Sequence, residues 1–159
     1  MQYWLLKTEG DIYPITQLEK DGKTAWSGVR NFRARNYMRD EMQVGDLCLF
    51  YHSSCKVIGV YGIAKVASKA YPDPTQFDPK SDYYEPRATE EKPIWMLVDI
   101  AFEEAFEFPV TAVDMKTESA LKDMVLWQAP RLSIQPVTNT EFTHVAHMAV
   151  LSKGGRMPL

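Results

Sequence analysis

Leu47-Cys48-Leu49-Phe50-Tyr51-His52-Ser53-Ser54-Cys55-Lys56-Val57-Ile58-Gly59-Val60-Tyr61-Gly62-Ile63-Ala64-Lys65-Val66 is the stretch from which the fold can be read. Its first five residues are apolar without alternation, the pattern of a central strand covered on both faces. Val57 to Val66 alternates and carries Gly59 and Gly62, which suit the close packing and bends of a barrel strand. The polar run between them predicts a hairpin. Cys48 falls in the apolar run and reads as core. His52 closes the first strand, where it can bond a bound base or phosphate, or be satisfied by a backbone carbonyl.

Upstream, Tyr3-Trp4-Leu5-Leu6-Lys7-Thr8 reads as another strand, with Lys7, Thr8 and Glu9 delivered at its end. Ile15 to Lys20 reads as a short helix, opened by Pro14 and closed by Gly22. The next segment is Trp26-Ser27-Gly28-Val29-Arg30-Asn31-Phe32-Arg33-Ala34-Arg35-Asn36-Tyr37-Met38-Arg39. A large aromatic, a permissive glycine and clustered arginines are what a protein needs to hold a base and its phosphate. Helical spacing over Val29 to Met42 puts Ala34, Tyr37, Met38 and Met42 on a core side and Arg35 and Arg39 opposite. Arg33, Arg35 and Arg39 are candidate phosphate contacts. They are equally consistent with a solvated face on which Arg33 pairs with Asp40.

Downstream, Tyr71 to Pro93 is rich in proline and aromatics, and a segment that long predicts an ordered cover over one face. Ile94 to Phe102 predicts a strand that Phe106-Glu107-Phe108 continues or restarts, and Ser119 to Met124 a short helix. Thr138-x-x-Glu141 is a capping box that opens a final helix with Phe142, Val145, Ala146 and Ala149 inward. His144 and His147 on that helix read as surface histidines. Short strands, long loops and small helices predict an α/β (α+β) architecture, one mixed sheet curled into a barrel with helices outside.

The 159 residues, 45% hydrophobic and 25% charged, make an ordinary globular composition. They predict a single domain over 2–151 and a C-terminal tail over 152–159. A net charge of -3 excludes a non-specific basic coat, so any nucleic-acid contact must come from a local pocket. Two cysteines, Cys48 and Cys55, make neither a disulfide framework nor a zinc motif, so no disulfide, metal or cofactor is expected. No run approaches the roughly 20 apolar residues of a membrane span. The expected location is cytoplasmic, or nuclear in a eukaryote, and not secreted. Oligomeric state is not readable.

Six blocks occur in order: Trp4-Leu5-Leu6-Lys7-Thr8-Glu9, Trp26-Ser27-Gly28-Val29-Arg30-Asn31, Ala34-Arg35-Asn36, Phe50-Tyr51-His52-Ser53, Ala70-Tyr71-Pro72-Asp73 and Arg131-Leu132-Ser133-Ile134-Gln135-Pro136. Together they resemble the EVE domain family over Gln2 to Met148. The resemblance implies a PUA-like mixed-sheet pseudo-barrel with flanking short helices. It also implies nucleic-acid binding, DNA or RNA, with one modified base held in a pocket. Carried over position by position, the pocket candidates are Lys7, Thr8, Trp26, Ser27, Val29, Arg30, Asn31, His52, Ser53 and Arg131. The chain departs from the family's usual Ser at Thr8 and usual Pro at Gly10, both expected on the pocket side.

The residues agree with that implication. Trp26 offers a stacking plane. Thr8, Asn31, His52 and Ser53 offer donors and acceptors for a base edge, and Lys7 and Arg30 offer charge for a phosphate. Two other classes stay open: an enzyme acting on a nucleotide or small ligand through Lys7, Glu9 and His52, and a protein-interaction module using the Tyr71–Tyr84 loop. Against catalysis, the chain has no P-loop, zinc-spaced Cys/His set or nucleophile elbow.

Overall fold

The computed structural model describes residues 1–151, and the tail expected at 152–159 lies outside the described residues. The expected first strand is β1 (Tyr3–Glu9), followed by α1 (Ile15–Asp21), β2 (Lys23–Ala25) and α2 (Phe32–Asn36). The hairpin is β3 (Leu47–Ser53) with β4 (Gly59–Val66). Two short strands, β5 (Tyr71–Pro72) and β6 (Met96–Leu97), precede the long β7 (Asp99–Thr111). Then come α3 (Ala112–Lys116), α4 (Val125–Gln128), β8 (Ile134–Val137) and α5 (Asn139–Val150).

Six strands form one curled mixed sheet, β2-β7-β4-β3-β1-β8, and β5 pairs with β6 apart from it. β1 runs parallel to β3, and the other pairings are antiparallel. Both faces of the sheet are buried, which explains the unbroken apolar run at the start of β3. Trp4, Leu6, Phe50 and Ala64 point into a core shared with α1 and α2. Leu5, Leu49, Ile63 and Val60 point into a second core filled by Met115, Phe142 and Val145.

The curl has a local cause. Val60 pairs with Val110 but Gly62 pairs with Ala105, so β7 bulges between them and bends the sheet. The strands approach so closely there that a Cβ on Gly62 would sit 2.3 Å from the Glu104 carbonyl oxygen. A Cβ on Gly59 would sit 2.3 Å from that of Val110. Only glycine fits either place without moving backbone.

Several elements differ from their sequence expectation. The helix expected over Val29 to Met42 begins at Phe32, because Asn31 is extended and its side chain accepts from Ala34 N–H. After Asn36 the helix widens into a π turn, with Met42 N–H reaching the Tyr37 carbonyl at 2.8 Å. Arg39, not Arg33, pairs with Asp40, at 2.8 Å. The strand expected from Ile94 is broken before Asp99 and then runs unbroken to Thr111. The helix expected over Ser119 to Met124 is a 3-10 turn at Ser119–Leu121, followed by α4. The Thr138–Glu141 capping box is formed as expected.

Candidate nucleic-acid interface

A cleft of about 420 Å³ opens where β1 ends, β2 turns and β8 begins. Lys7 and Thr8 come to it from β1, Trp26 to Arg30 from the loop after β2, and Ser133 from the approach to β8. Tyr83, from the long proline-rich segment, closes the remaining side.

The wall at Trp26 is set by the sheet. Trp26 N–H donates to the Val98 carbonyl at 3.0 Å, which prolongs the pairing of β2 with its neighbour. The half-buried indole stands edge-on to Tyr13, at 6.3 Å, and to Phe50, at 5.7 Å. The indole N–H groups of Trp4, Trp95 and Trp127 all bond protein oxygens. Among the described residues, that of Trp26 has no protein acceptor, and it belongs to the one tryptophan in the cleft.

Gly28 has φ +85, and a Cβ there would lie 2.8 Å from the Tyr83 ring. Both the turn and the close seat of Tyr83 therefore require glycine. Arg30 fixes the same contact from the other side. Its Nη2 and Nε donate to the Tyr83 carbonyl at 2.7 and 3.3 Å, and Nη2 also reaches Thr75 Oγ1 at 3.0 Å. Its Nη1 donates to Asp73 Oδ2 at 3.1 Å and to its neighbour's carbonyl at Val29. Burial pushes the Asp73 carboxyl up, but donors from Thr75, Gly28 and Arg30 outweigh it and hold it below the usual carboxylate range. Arg30 is thus a clasp that ties the 71–93 segment to the Trp-Ser-Gly turn, with its fork turned onto protein oxygens. Buried Gln76 braces the other end of that segment through Ile94 and Trp95 N–H.

Lys7 donates to the Pro130 carbonyl at 2.5 Å and lies 5.7 Å from the Tyr51 ring centre. Burial lowers its ammonium pKa. Thr8 Oγ1 is taken by the Tyr13 carbonyl at 3.2 Å.

A model of the EVE domain matches residues 2–148. The chain belongs to the EVE domain family. It is 37% identical to human thymocyte nuclear protein 1 over 162 residues, covering 90% of this chain and 72% of that protein. The chicken thymocyte nuclear protein 1 is 38% identical, with 90% of this chain and 66% of the relative covered. A hypothetical protein from Leishmania major superimposes with TM-score 0.92 at 41% identity, covering 96% and 97% of the two chains. Human THYN1 in complex with 5-methylcytosine-containing DNA superimposes with TM-score 0.86 at 35% identity, covering 94% and 98%.

In this EVE domain, six of the ten expected pocket residues, Lys7, Thr8, Trp26, Ser27, Val29 and Arg30, share one cleft. Four stand outside it. Asn31 caps α2. Ser53 Oγ reaches back to the Thr8 carbonyl at 3.5 Å. Arg131 is exposed on the loop between Pro130 and Ser133. His52 is buried beside a different cavity: its Nε2 accepts from Ile15 N–H at 3.1 Å, and its ring stacks on Tyr61 at 3.9 Å. Burial pushes its pKa down to about 4. Gly10 accompanies it and lines that other cavity with Cys55, so of the two departures from the family pattern only Thr8 touches the Trp26 cleft.

The arginines on and after α2 are occupied. Arg33 donates to Tyr37 Oη at 3.0 Å, and Arg35 to the Ile94 carbonyl and Asn36. Arg39 grips Asp40 with both ends of its fork. Sequence reasoning missed Tyr83, Tyr13 and Ser133, and with them Ile12, Thr24 and Ala25. Tyr83 carried one signal, an aromatic in a long proline-rich segment. Among the described residues there is no group of three His, Cys, Asp or Glu placed to hold a metal, and Cys48 and Cys55 are unbonded. No described helix is long and apolar enough to cross a membrane.

Proposed function

We propose that residues 2–151 form one domain that reads a modified base of DNA, taking it out of the stack into the Trp26 cleft without chemistry. The observation that carries this reading is the unpartnered indole N–H of Trp26, in a cleft that also offers the Ser27, Ser133 and Tyr83 hydroxyls. Trp26 supplies the ring and one donor, the hydroxyls read the base edge, and Lys7 faces the phosphate. Val29 and Ile12 supply apolar wall for a small substituent. The relative in complex with 5-methylcytosine-containing DNA supports this choice of ligand. The enzyme reading is disfavoured by what lines the cleft, which among the described residues includes no His, Cys, Asp or Glu to move a proton.

Binding of matched DNA strands with 5-methylcytosine or cytosine at one position tests the proposal, with an RNA strand as a third arm. Burying one methyl is worth about 0.8 kcal/mol, a preference of about fourfold. Equal affinity for the two DNA strands would rule out 5-methylcytosine as the base that is read. Tighter binding of the RNA would move the reading to that polymer.

A further inference from the structure

Lys7 is shared by two clefts. On its other side lies a second one, of about 640 Å³, between the end of β3 and the helices of residues 112–128. Among the described residues its charged lining is entirely basic, Lys7, Lys116 and Lys122, with no carboxylate. In a chain of net charge -3 this is a local positive basin. Among the described residues neither Lys116 nor Lys122 makes an ion pair. The basin also has aromatic planes. Trp127 forms part of its wall, anchored by its indole N–H on the Leu121 carbonyl at 2.8 Å, and Lys116 Nζ lies 5.5 Å from its ring centre. Tyr51 lies under Lys7 on the same side.

Cations beside a flat ring form the recurrent platform for a nucleic-acid backbone and an unstacked base. The two clefts share Lys7 and flank the Pro130–Ser133 loop, whose ends line one each. Buried Gln135 fixes that loop by donating to the Ala129 and Leu132 carbonyls at 3.1 and 2.8 Å. We propose that this second cleft takes the nucleotide next to the one held at Trp26, with its phosphate among Lys7, Lys116 and Lys122 and its base against Trp127. This rests on the Trp26 cleft being the base site. The strand then crosses the protein over Lys7, and α2 with its arginines stays off the path.

The test uses the full chain, the free nucleoside of 5-methylcytosine, and a DNA single strand of about nine nucleotides carrying one 5-methylcytosine. The double variant Lys116→Gln, Lys122→Gln changes exposed side chains only. It should bind the nucleoside as the parent does. It should bind the strand about tenfold more weakly at low salt, with the slope of log affinity against log salt reduced by about one to two units. The double variant Lys116→Arg, Lys122→Arg should restore both. Parental strand affinity and salt slope in the Gln variant would overturn the second cleft while leaving the first intact. A parent that binds neither nucleoside nor strand would remove both.

Discussion

Replacing Arg30 by Met separates two roles for that side chain, because Met keeps an apolar stem against Tyr83 and Trp95 but removes every donor. The Tyr83 carbonyl loses two bonds, of 2.7 and 3.3 Å. Asp73, whose side chain is fully buried, loses the only cation paired with it among the described residues. It keeps Gly28 N–H, Thr75 N–H and the Thr75 hydroxyl, at 2.8, 2.8 and 2.6 Å, so the cost stays below that of a fully stranded charge. Taking about 1.5–3 kcal/mol for the bond to the buried Asp73 carboxylate, and about 0.5–1 kcal/mol together for the partly exposed bonds to Tyr83, Thr75 and Val29, gives about 2–4 kcal/mol. For a chain of this size that is roughly 5–15 °C in melting temperature. Hydrogen exchange should accelerate over residues 79–92 first, because the clasp holds that segment from one end. The salt slope of DNA binding should stay as in the parent, since no phosphate contact is lost. An Arg30→Met protein with parental melting temperature and exchange, but a slope lower by about one unit, would refute the clasp and make Arg30 a phosphate ligand.

Trp26→Ala should weaken oligonucleotide binding by about 1–3 kcal/mol without changing its salt slope. It should cost only about 2 kcal/mol of stability, because the indole is half-buried; melting and titration of the same protein separate the two. His52 has a folded pKa of about 4, below its ordinary 6.5, so the unfolded chain binds more protons between those values. Stability should therefore fall as pH drops through that window, by on the order of 3 kcal/mol, in urea titrations at several pH values. His52→Leu should remove that component of the slope, and an unchanged slope would show that His52 titrates normally. Gly62→Ala should cost about 1–3 kcal/mol, since its Cβ meets a carbonyl that the paired strands hold in place; chemical denaturation would reveal a harmless substitution at once.

Local physics was legible in the sequence, and long-range pairing was not. The hairpin, Gly59 and Gly62, the Pro14 and Gly22 ends of α1 and the Thr138–Glu141 box each declare themselves within a few residues, and each stands where expected. The break before Asp99 and the unbroken run of β7 through Glu103, Glu104 and Glu107 depend on which neighbour each end pairs with. In the cleft, Trp26, Ser27 and Lys7 were readable as strand-end and turn residues with suitable chemistry. His52 stood at a strand end too, but Ile15, 37 positions away, claims its ring for a different cavity. Arg30 read as a free cation because nothing nearby announces that Asp73, 43 positions on, will claim it. Tyr83 could be suspected only as an aromatic in a long segment, since its place against Gly28 exists only once that segment docks.

The Trp26 cleft draws its walls from positions near 7, 26–30, 83 and 133, so no fragment of the chain contains it. A partly folded chain lacking any one of those segments has no base site, and ligand affinity belongs to the completed native state alone. By mass action, saturating DNA should then slow every opening that dismantles the sheet, including exchange of amides in α5, which lies outside the cleft. Occupancy becomes a brake on turnover by proteases: a reader sitting on its mark outlives one that is searching for it.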